Sequence, residues 1–428
     1  MNTSTRFVLA GSFAAGTLAT SCVSARSTGG TVVRADSARV RSDIQYLASD
    51  ALEGRGTGTA GNDSAAAFAA RRYSTLGLQA LGPGYLQAFT ARSAMAAHNG
   101  VAAELQTQNV VAFLRGTDPA LRGQVIVLGA HIDHLGRSTA GALDPEARDV
   151  IRNGADDNAS GTAAVLELAR LFRAQPARRS LLFVNFSGEE LGLLGSQYFV
   201  EHSPVPLDSV VAMLNFDMVG RLRGDSLIVY GVATAREMSA VLDSANTRIG
   251  LFVRGVGDGF GPSDHSSFFA RNLPVLHFFT DLHADYHRAT DDADKINATG
   301  AAKVISLAER VVREIDARDA RLTFVRGAVP AAAAGARTGS NVYLGSIPDM
   351  AAPESKGLRL TGVRAGSPAD SAGLKAGDVV VELGGRVVSD LQTYSDALYS
   401  FKPGDEVEIV VLRGAERLRV KVRLGRRG

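Results

Sequence analysis

Apolar positions along residues 36–322 follow two alternating rhythms. Near-continuous apolar runs at 124–130 (QVIVLGA), 181–187 (LLFVNFS), 210–216 (VVAMLNF) and 274–279 (PVLHFF) predict central strands covered on both faces. Between them the spacing turns helical. Val165, Leu168, Ala169 and Phe172 mark one stripe in 160–174, behind a Ser160 N-cap; Val304, Leu307, Ala308, Val311 and Ile315 mark another in 300–316. Strands that alternate with helices in this way predict an α/β domain, a mostly parallel mixed sheet sandwiched by helices.

The pattern changes at both ends. Residues 326–340 (RGAVPAAAAGARTGS) lack large apolar side chains and read as a linker. Beyond it, 341–428 carries short β-branched runs such as 378–382 (DVVVE) and 407–412 (VEIVVL) between Gly-rich turns, which predicts a small β-rich domain. At the start, the apolar run 7–19 behind Arg6 is too short to span a bilayer and fits the core of a secretory signal, so residues 1–25 are set apart from the fold. Leu18-Ala19-Thr20-Ser21-Cys22 resembles a bacterial lipoprotein signal, and Val23-Ser24-Ala25 also suits ordinary signal peptidase. Export is therefore expected, to a periplasmic, membrane-anchored or secreted location.

Composition narrows the chemistry. The chain has 428 residues, enough for two or three domains of roughly 150 residues. With 45% hydrophobic and 21% charged residues it is neither disordered nor collagen-like. A formal net charge of +2 sets up no global field for nucleic acid. Cys22 is the single cysteine, which excludes an intrachain disulfide and a cysteine zinc cage. Any metal must be held by His, Asp and Glu.

Those residues gather where strands end. His131 and Asp133 follow the first predicted strand, Glu189 and Glu190 the second, Asp217 the third, and His287 lies in the loop after the fourth. Asp156 and Asp157 open the helix after the first strand. Singly, each is an ordinary turn, cap or dipole residue. Ligands bind at the carboxyl ends of strands in open α/β sheets, so these loops converge on one place. Two imidazoles and three carboxylates suit a pair of zinc or other divalent ions, with one carboxylate bridging. Such a pair polarises a carbonyl and acidifies a water, and a remaining Glu is the natural general base.

Over about residues 40–320 the chain resembles the dinuclear zinc aminopeptidases of the bacterial leucyl and aminopeptidase S types, peptidase family M28. The residues that carry the resemblance are Leu47-Ala48-Ser49-Asp50, Leu52 to Thr59 (LEGRGTGT), Ala130 to Gly136 (AHIDHLG), Gly154 to Gly161 (GADDNASG), Gly188 to Ser196 (GEELGLLGS), Asn215 to Gly220 (NFDMVG) and Tyr286-His287. The resemblance implies two Zn2+: His131 and Asp217 on one, Glu190 and His287 on the other, Asp157 bridging, with a cis peptide after it. It further implies Glu189 as the general base, Asp133 as the partner fixing the His131 tautomer, and Tyr286 steadying the tetrahedral intermediate. Ser263-Asp264-His265 resembles a loop near the substrate, while His265, His134 and His283 are expected in supporting roles. Only about 50 residues separate Leu81 from His131, which leaves no room for the protease-associated insert of some relatives.

The C-terminal stretch resembles a PDZ domain of the protease-linked kind, with Leu344-Gly345-Ser346 as carboxylate-binding loop and Gly366-Ser367-Pro368-Ala369 and Gly373 to Asp378 (GLKAGD) as later signature. Peptide C-termini are the partners this implies, although Ser346 stands where an apolar residue is usual. The basic terminus from Arg413 to Arg427 reads as a solvated strand face, since no aromatics interleave with it. The expected function is an exported metallo-aminopeptidase acting on peptide N-termini. Two alternatives remain: a glutaminyl-peptide cyclase, against which the absence of tryptophan counts, and a non-catalytic peptide-binding protein.

Overall fold

The computed structural model describes residues 1–3, 34–92, 104–139, 142, 144, 147–326, 342–348, 357–363, 366–389, 393–394, 397–398, 400–414 and 416–426. The expected signal segment around Cys22 and the linker from 327 onward lie outside them.

Two helices open the first domain: α1 (Ser37–Leu47), capped by the Asp36 carboxylate, and α2 (Ala60–Thr75), capped by the Thr59 hydroxyl. A hairpin-like edge follows, with β1 (Gln79–Ala80), β2 (Leu86–Arg92) and β3 (Glu104–Leu114). Next come β4 (Val125–His131), α3 (Gly161–Ala174), β5 (Ser180–Phe186), α4 (Leu194–Glu201) and β6 (Val210–Phe216). The domain continues through β7 (Ser226–Tyr230), α5 (Met238–Asn246), β8 (Phe252–Val256), α6 (His265–Ala270), β9 (Val275–Phe279) and α7 (Ala298–Ala317).

Nine strands among the described residues make one mixed sheet in the order β1-β3-β5-β4-β6-β9-β7-β8, with β2 also on β3. Its centre, β5-β4-β6-β9, is parallel; β3 joins β5 and β7 joins β9 in antiparallel register. These four central strands are the four apolar runs read from the sequence. Every residue of β4, β5 and β6 is buried, as a strand covered on both faces must be. Val127, Leu182, Phe186, Met213 and Val275 pack on one side with Phe199 of α4 and Phe268 of α6. Both helical stripes face inward, Val165 to Phe172 on α3 and Val304 to Ile315 on α7.

The packed chain runs past residue 322. Phe324 bridges to Ala235 and lies against Phe269, the Val325 N–H donates to Thr234 O at 2.9 Å, and Arg326 donates to Asn272. A half-buried aromatic at 324 is what holds this tail on the domain.

The C-terminal domain is antiparallel. It comprises β10 (Val342–Tyr343), β11 (Ser346–Pro348), β12 (Leu358–Val363), a short helix α8 (Pro368–Ser371), β13 (Val379–Leu383), β14 (Arg386–Val387), β15 (Glu406–Arg413), β16 (Glu416–Arg423) and β17 (Gly425–Arg426). The sheet order is β11-β12-β13-β15-β16, with β14 on β13 and β10 paired to β17. Leu344, Leu360, Val380, Ile409, Val411 and Val422 form its own core. Arg417, Arg419, Lys421 and Arg423 alternate with these inward positions and are exposed, Arg419 pairing Glu408 across the ladder. At the expected carboxylate loop, Gly345 takes φ +82°, a conformation costly for any residue with a Cβ, and the Ser346 hydroxyl bonds the Tyr394 phenol.

Candidate metal centre

The site is built at the carboxyl ends of the parallel strands, where the sheet leaves a crevice. His131 is the last residue of β4 and Asp217 the first after β6; Glu189 and Glu190 follow β5, and His287 lies in the loop after β9. Asp157 comes from the irregular turn Ala155–Ser160 before α3. That turn is held from three directions. The Asp156 and Asp157 N–H groups donate to one oxygen of Asp291 at 2.9 and 3.0 Å. Asn158 donates to Phe216 O at 2.8 Å, and Asp156 accepts the Gly220 N–H at 2.6 Å. The peptide Asp157–Asn158 is cis.

The side chains of the five predicted ligands meet. His131 Nε2 lies 3.3 Å from Asp157 Oδ1 and 3.4 Å from Asp217 Oδ1. His287 Nε2 lies 3.1 Å from Asp157 Oδ2 and 3.3 Å from Glu190 Oε2. Asp157 thus divides its two oxygens between two imidazole–carboxylate sets. Asp217 Oδ1 is buried and finds no hydrogen-bond donor among the described residues. An acceptor left unpaired in a buried set of His and carboxylate donors fits divalent cations, and zinc takes such N and O ligands.

Electrostatics of the cluster follow from its burial and its charges. Burial opposes charge on His131 and His287, yet the facing carboxylates outweigh it, Glu189 and Asp217 for the first and Glu190 and Asp157 for the second, and hold both imidazoles well above their ordinary range. Burial would likewise raise Asp157 and Glu190. Hydrogen bonds from His131 and His287 hold Asp157 well below the carboxylate range, and His287 with His134 brings Glu190 to about 2. Glu189 goes the other way: burial, with Glu190, Asp264 and Asp217 nearby, pushes it well up against the pull of His131.

The remaining predicted residues sit around this set. Asp133 meets His131 through its backbone: His131 Nδ1 lies 3.1 Å from the Asp133 backbone oxygen and 3.9 Å from its carboxylate. The carboxylate is taken elsewhere, because one oxygen accepts the Thr57 hydroxyl and the other the Glu189 N–H. Tyr286 stacks on His287, ring centroids 3.9 Å apart, and lines the cleft. His134 Nδ1 is 2.7 Å from Glu190, and His283 Nε2 is 3.2 Å from Asp156. His265 is fully buried and stacks on His277 at 4.4 Å, behind the cleft wall. Met218, Tyr230, Pro262, Phe279 and Leu282 give the cleft an apolar side, with His277 as its polar member.

Sequence reading assigned no part to Asp291 or Arg221. Asp291 is fully buried, grips the Asp157 turn and pairs with Arg221 at 2.9 Å, tying the segments after Asp217, before Asp157 and after His287. The only trace in the sequence is an acid four places after His287.

Comparison with known proteins places these features. Residues 109–312 match the family model for peptidase family M28, and residues 324–424 match that for the PDZ domain. Aminopeptidase YwaD of Bacillus subtilis is 31% identical over 154 residues, 34% of this chain and 34% of that relative. Leupeptin-inactivating enzyme 1 of Streptomyces exfoliatus is 33% identical over 195 residues, 45% of this chain and 39% of that relative. The chain thus spans between a third and two-fifths of the length of these curated relatives. Among solved structures, a zinc aminopeptidase from Bacillus subtilis superposes with TM-score 0.53 at 18% identity, covering 65% of this chain and 95% of its own. A Zn-dependent exopeptidase from Parabacteroides distasonis superposes with TM-score 0.55 at 18% identity, covering 66% and 99%.

Proposed function

Residues 109–312 match the model for peptidase family M28 and residues 324–424 that for the PDZ domain, and from that likeness we propose that the chain is an exported zinc aminopeptidase with a co-catalytic metal pair. The observation that carries the proposal is the division of the Asp157 carboxylate between the His131/Asp217 set and the Glu190/His287 set. In this reading His131 and Asp217 hold one ion, Glu190 and His287 the other, and Asp157 both. Bound there, zinc supplies a Lewis acid for the scissile carbonyl and a water of lowered pKa.

The protein's own groups do the rest. Glu189 takes the proton of the attacking water and hands it to the leaving amine; its raised affinity for protons in this buried setting matches a base that must also give the proton back. Asp133 receives the Glu189 N–H at 3.2 Å, and its backbone oxygen meets His131 Nδ1, so it orients base and ligand together. The Tyr286 phenol donates to the oxygen of the tetrahedral intermediate. Burial and the surrounding carboxylates push that phenol well above its usual pKa, so it keeps its proton. The apolar wall of Met218, Tyr230, Phe279 and Leu282 receives the side chain of the N-terminal residue. Peptide C-termini are the ligands assigned to the PDZ domain, and Cys22 the point of lipid attachment.

Glu189→Gln tests the reaction. It should lower kcat on aminoacyl-anilides by roughly a hundred- to ten-thousand-fold, the range for loss of a general base, with zinc content unchanged. Activity kept by that variant, or activity of the wild type that survives a chelator, overturns the reading.

A further inference from the structure

The segment from Gly54 to Thr57 belongs to a motif that the reaction leaves unused, yet it runs directly beneath the metal centre. Arg55 is fully buried, and no carboxylate among the described residues pairs with it. Its guanidinium instead donates to four backbone carbonyls: Nε to Ile132 O at 2.9 Å, Nη1 to Leu47 O at 2.5 Å and Asn153 O at 2.7 Å, and Nη2 to Gly154 O at 2.9 Å. Ile132 sits between His131 and Asp133, and Gly154 opens the turn that carries Asp157. Two residues on, the Thr57 hydroxyl donates to Asp133 Oδ2 at 2.8 Å. Backbone bonds complete the grip, since Arg55 O accepts the His134 N–H at 3.3 Å and Gly54 O the Gly136 N–H at 3.1 Å.

A buried guanidinium is a poor choice for stability alone, because its desolvation cost is met only by hydrogen bonds in full. The rigid five-donor fork does what no apolar residue could, fastening two separate loops at a fixed distance. Burial draws Arg55 down to about 10, with Asp133 and Asp157 opposing, so it remains a cation at neutral pH beneath the carboxylate cluster.

We propose that Arg55 and Thr57 are positioning residues of the metal centre, which lock the His131–Asp133 segment against the Asp157 turn so that ligands from both loops reach the same pair of ions. The proposal rests on the zinc reading above and adds a part for residues that touch neither metal nor substrate.

The test uses the full chain as Thr57→Val and Arg55→Lys variants, stripped of metal and shown to be folded by circular dichroism. Zinc affinity is measured by competition with a chromogenic chelator, and the visible spectrum is recorded after cobalt loading. Loss of an outer support of this kind should weaken zinc retention by roughly ten- to a hundredfold and alter the cobalt bands. A merely structural role would lower the melting temperature of the metal-free protein and leave both readouts in place. Zinc affinity within about twofold of wild type in the folded variants, with an unchanged cobalt spectrum, overturns the proposal. Should Arg55→Lys fail to fold, Thr57→Val decides by the same criterion, because valine keeps the shape and removes only the hydroxyl. A wild-type chain that takes up no zinc at all would instead overturn the metal-centre reading on which this rests.

Discussion

Gly154 shows how little freedom the ligand turn has. Its φ is +55°, and a Cβ there would stand 2.0 Å from Asp157 O and 2.4 Å from the His134 ring. Gly154→Ala should therefore displace Asp157, Glu190 or both. The expected outcome is loss of zinc in a protein that still folds, read by metal analysis alongside circular dichroism. A second prediction concerns protons. Without metal, His131 and His287 are held protonated by the carboxylates they face, so their ion pairs stabilise the fold fully below about pH 6.5 and fade as pH rises through the raised values. Zinc takes neutral imidazole, so loading at pH 7 should release about two protons per chain, and affinity should fall as pH falls. Calorimetry in buffers of different ionisation enthalpy measures the release; none at all would contradict the ligand assignment. At this scale the sequence showed the groups that follow strands and hid the groups that hold them. Asp291 acts 134 residues from Asp157, and Thr57 acts 76 residues from Asp133. Contacts at such separation leave no local periodicity to read.

Among the elements, the central strands were legible because both faces are buried and nearly all their residues are apolar. The edge was not. β3 reads ELQTQNVVAFL, mixed at its start because its first half lies against β2 at the sheet margin, and β7 and β8 are five residues each. Past residue 322, Phe324 follows a short polar run, and its contact with Phe269 shows where it packs. In the C-terminal domain a turn residue acts as a clasp. Asp378, just before β13, is fully buried, accepts Nε and Nη2 of Arg413 from β15 at 2.7 and 2.8 Å, and takes the Lys375 N–H at 2.8 Å. Burial alone would raise this carboxyl, but the Arg413 fork and the Lys375 N–H hold it below 3.8. A depressed folded value means stability that is present above the unfolded value and lost as pH falls through the folded one. Asp378→Asn should cost about 1–3 kcal/mol near neutral pH. The difference from wild type should shrink as pH drops below 3.8, in thermal scans or in hydrogen exchange of β13 and β15. A constant difference across that range would show that the charge is not what matters.

For the molecule as a whole, two cores are built from separate stretches of chain. One draws on Val111 through Phe324 and the other on Val342 through Leu424. A domain with its own core and satisfied backbone folds by itself. Every residue placed in the metal centre lies within residues 34–326, together with Arg55, Thr57, Arg221 and Asp291 around it. Residues 34–326, ended after the Arg326–Asn272 contact, should then fold, bind zinc and cleave aminoacyl-anilides with kcat/KM close to that of the full chain. Zinc that binds the native fragment and not its unfolded form should raise stability by about 4 kcal/mol at a thousandfold excess over Kd, equally in fragment and full chain. Steady-state kinetics and melting with and without chelator measure both quantities. Equal values assign the chemistry to the first domain. A large fall in kcat/KM for these small substrates, with zinc content unchanged, would mean that the C-terminal domain takes part in catalysis and that the strand-end site is incomplete without it.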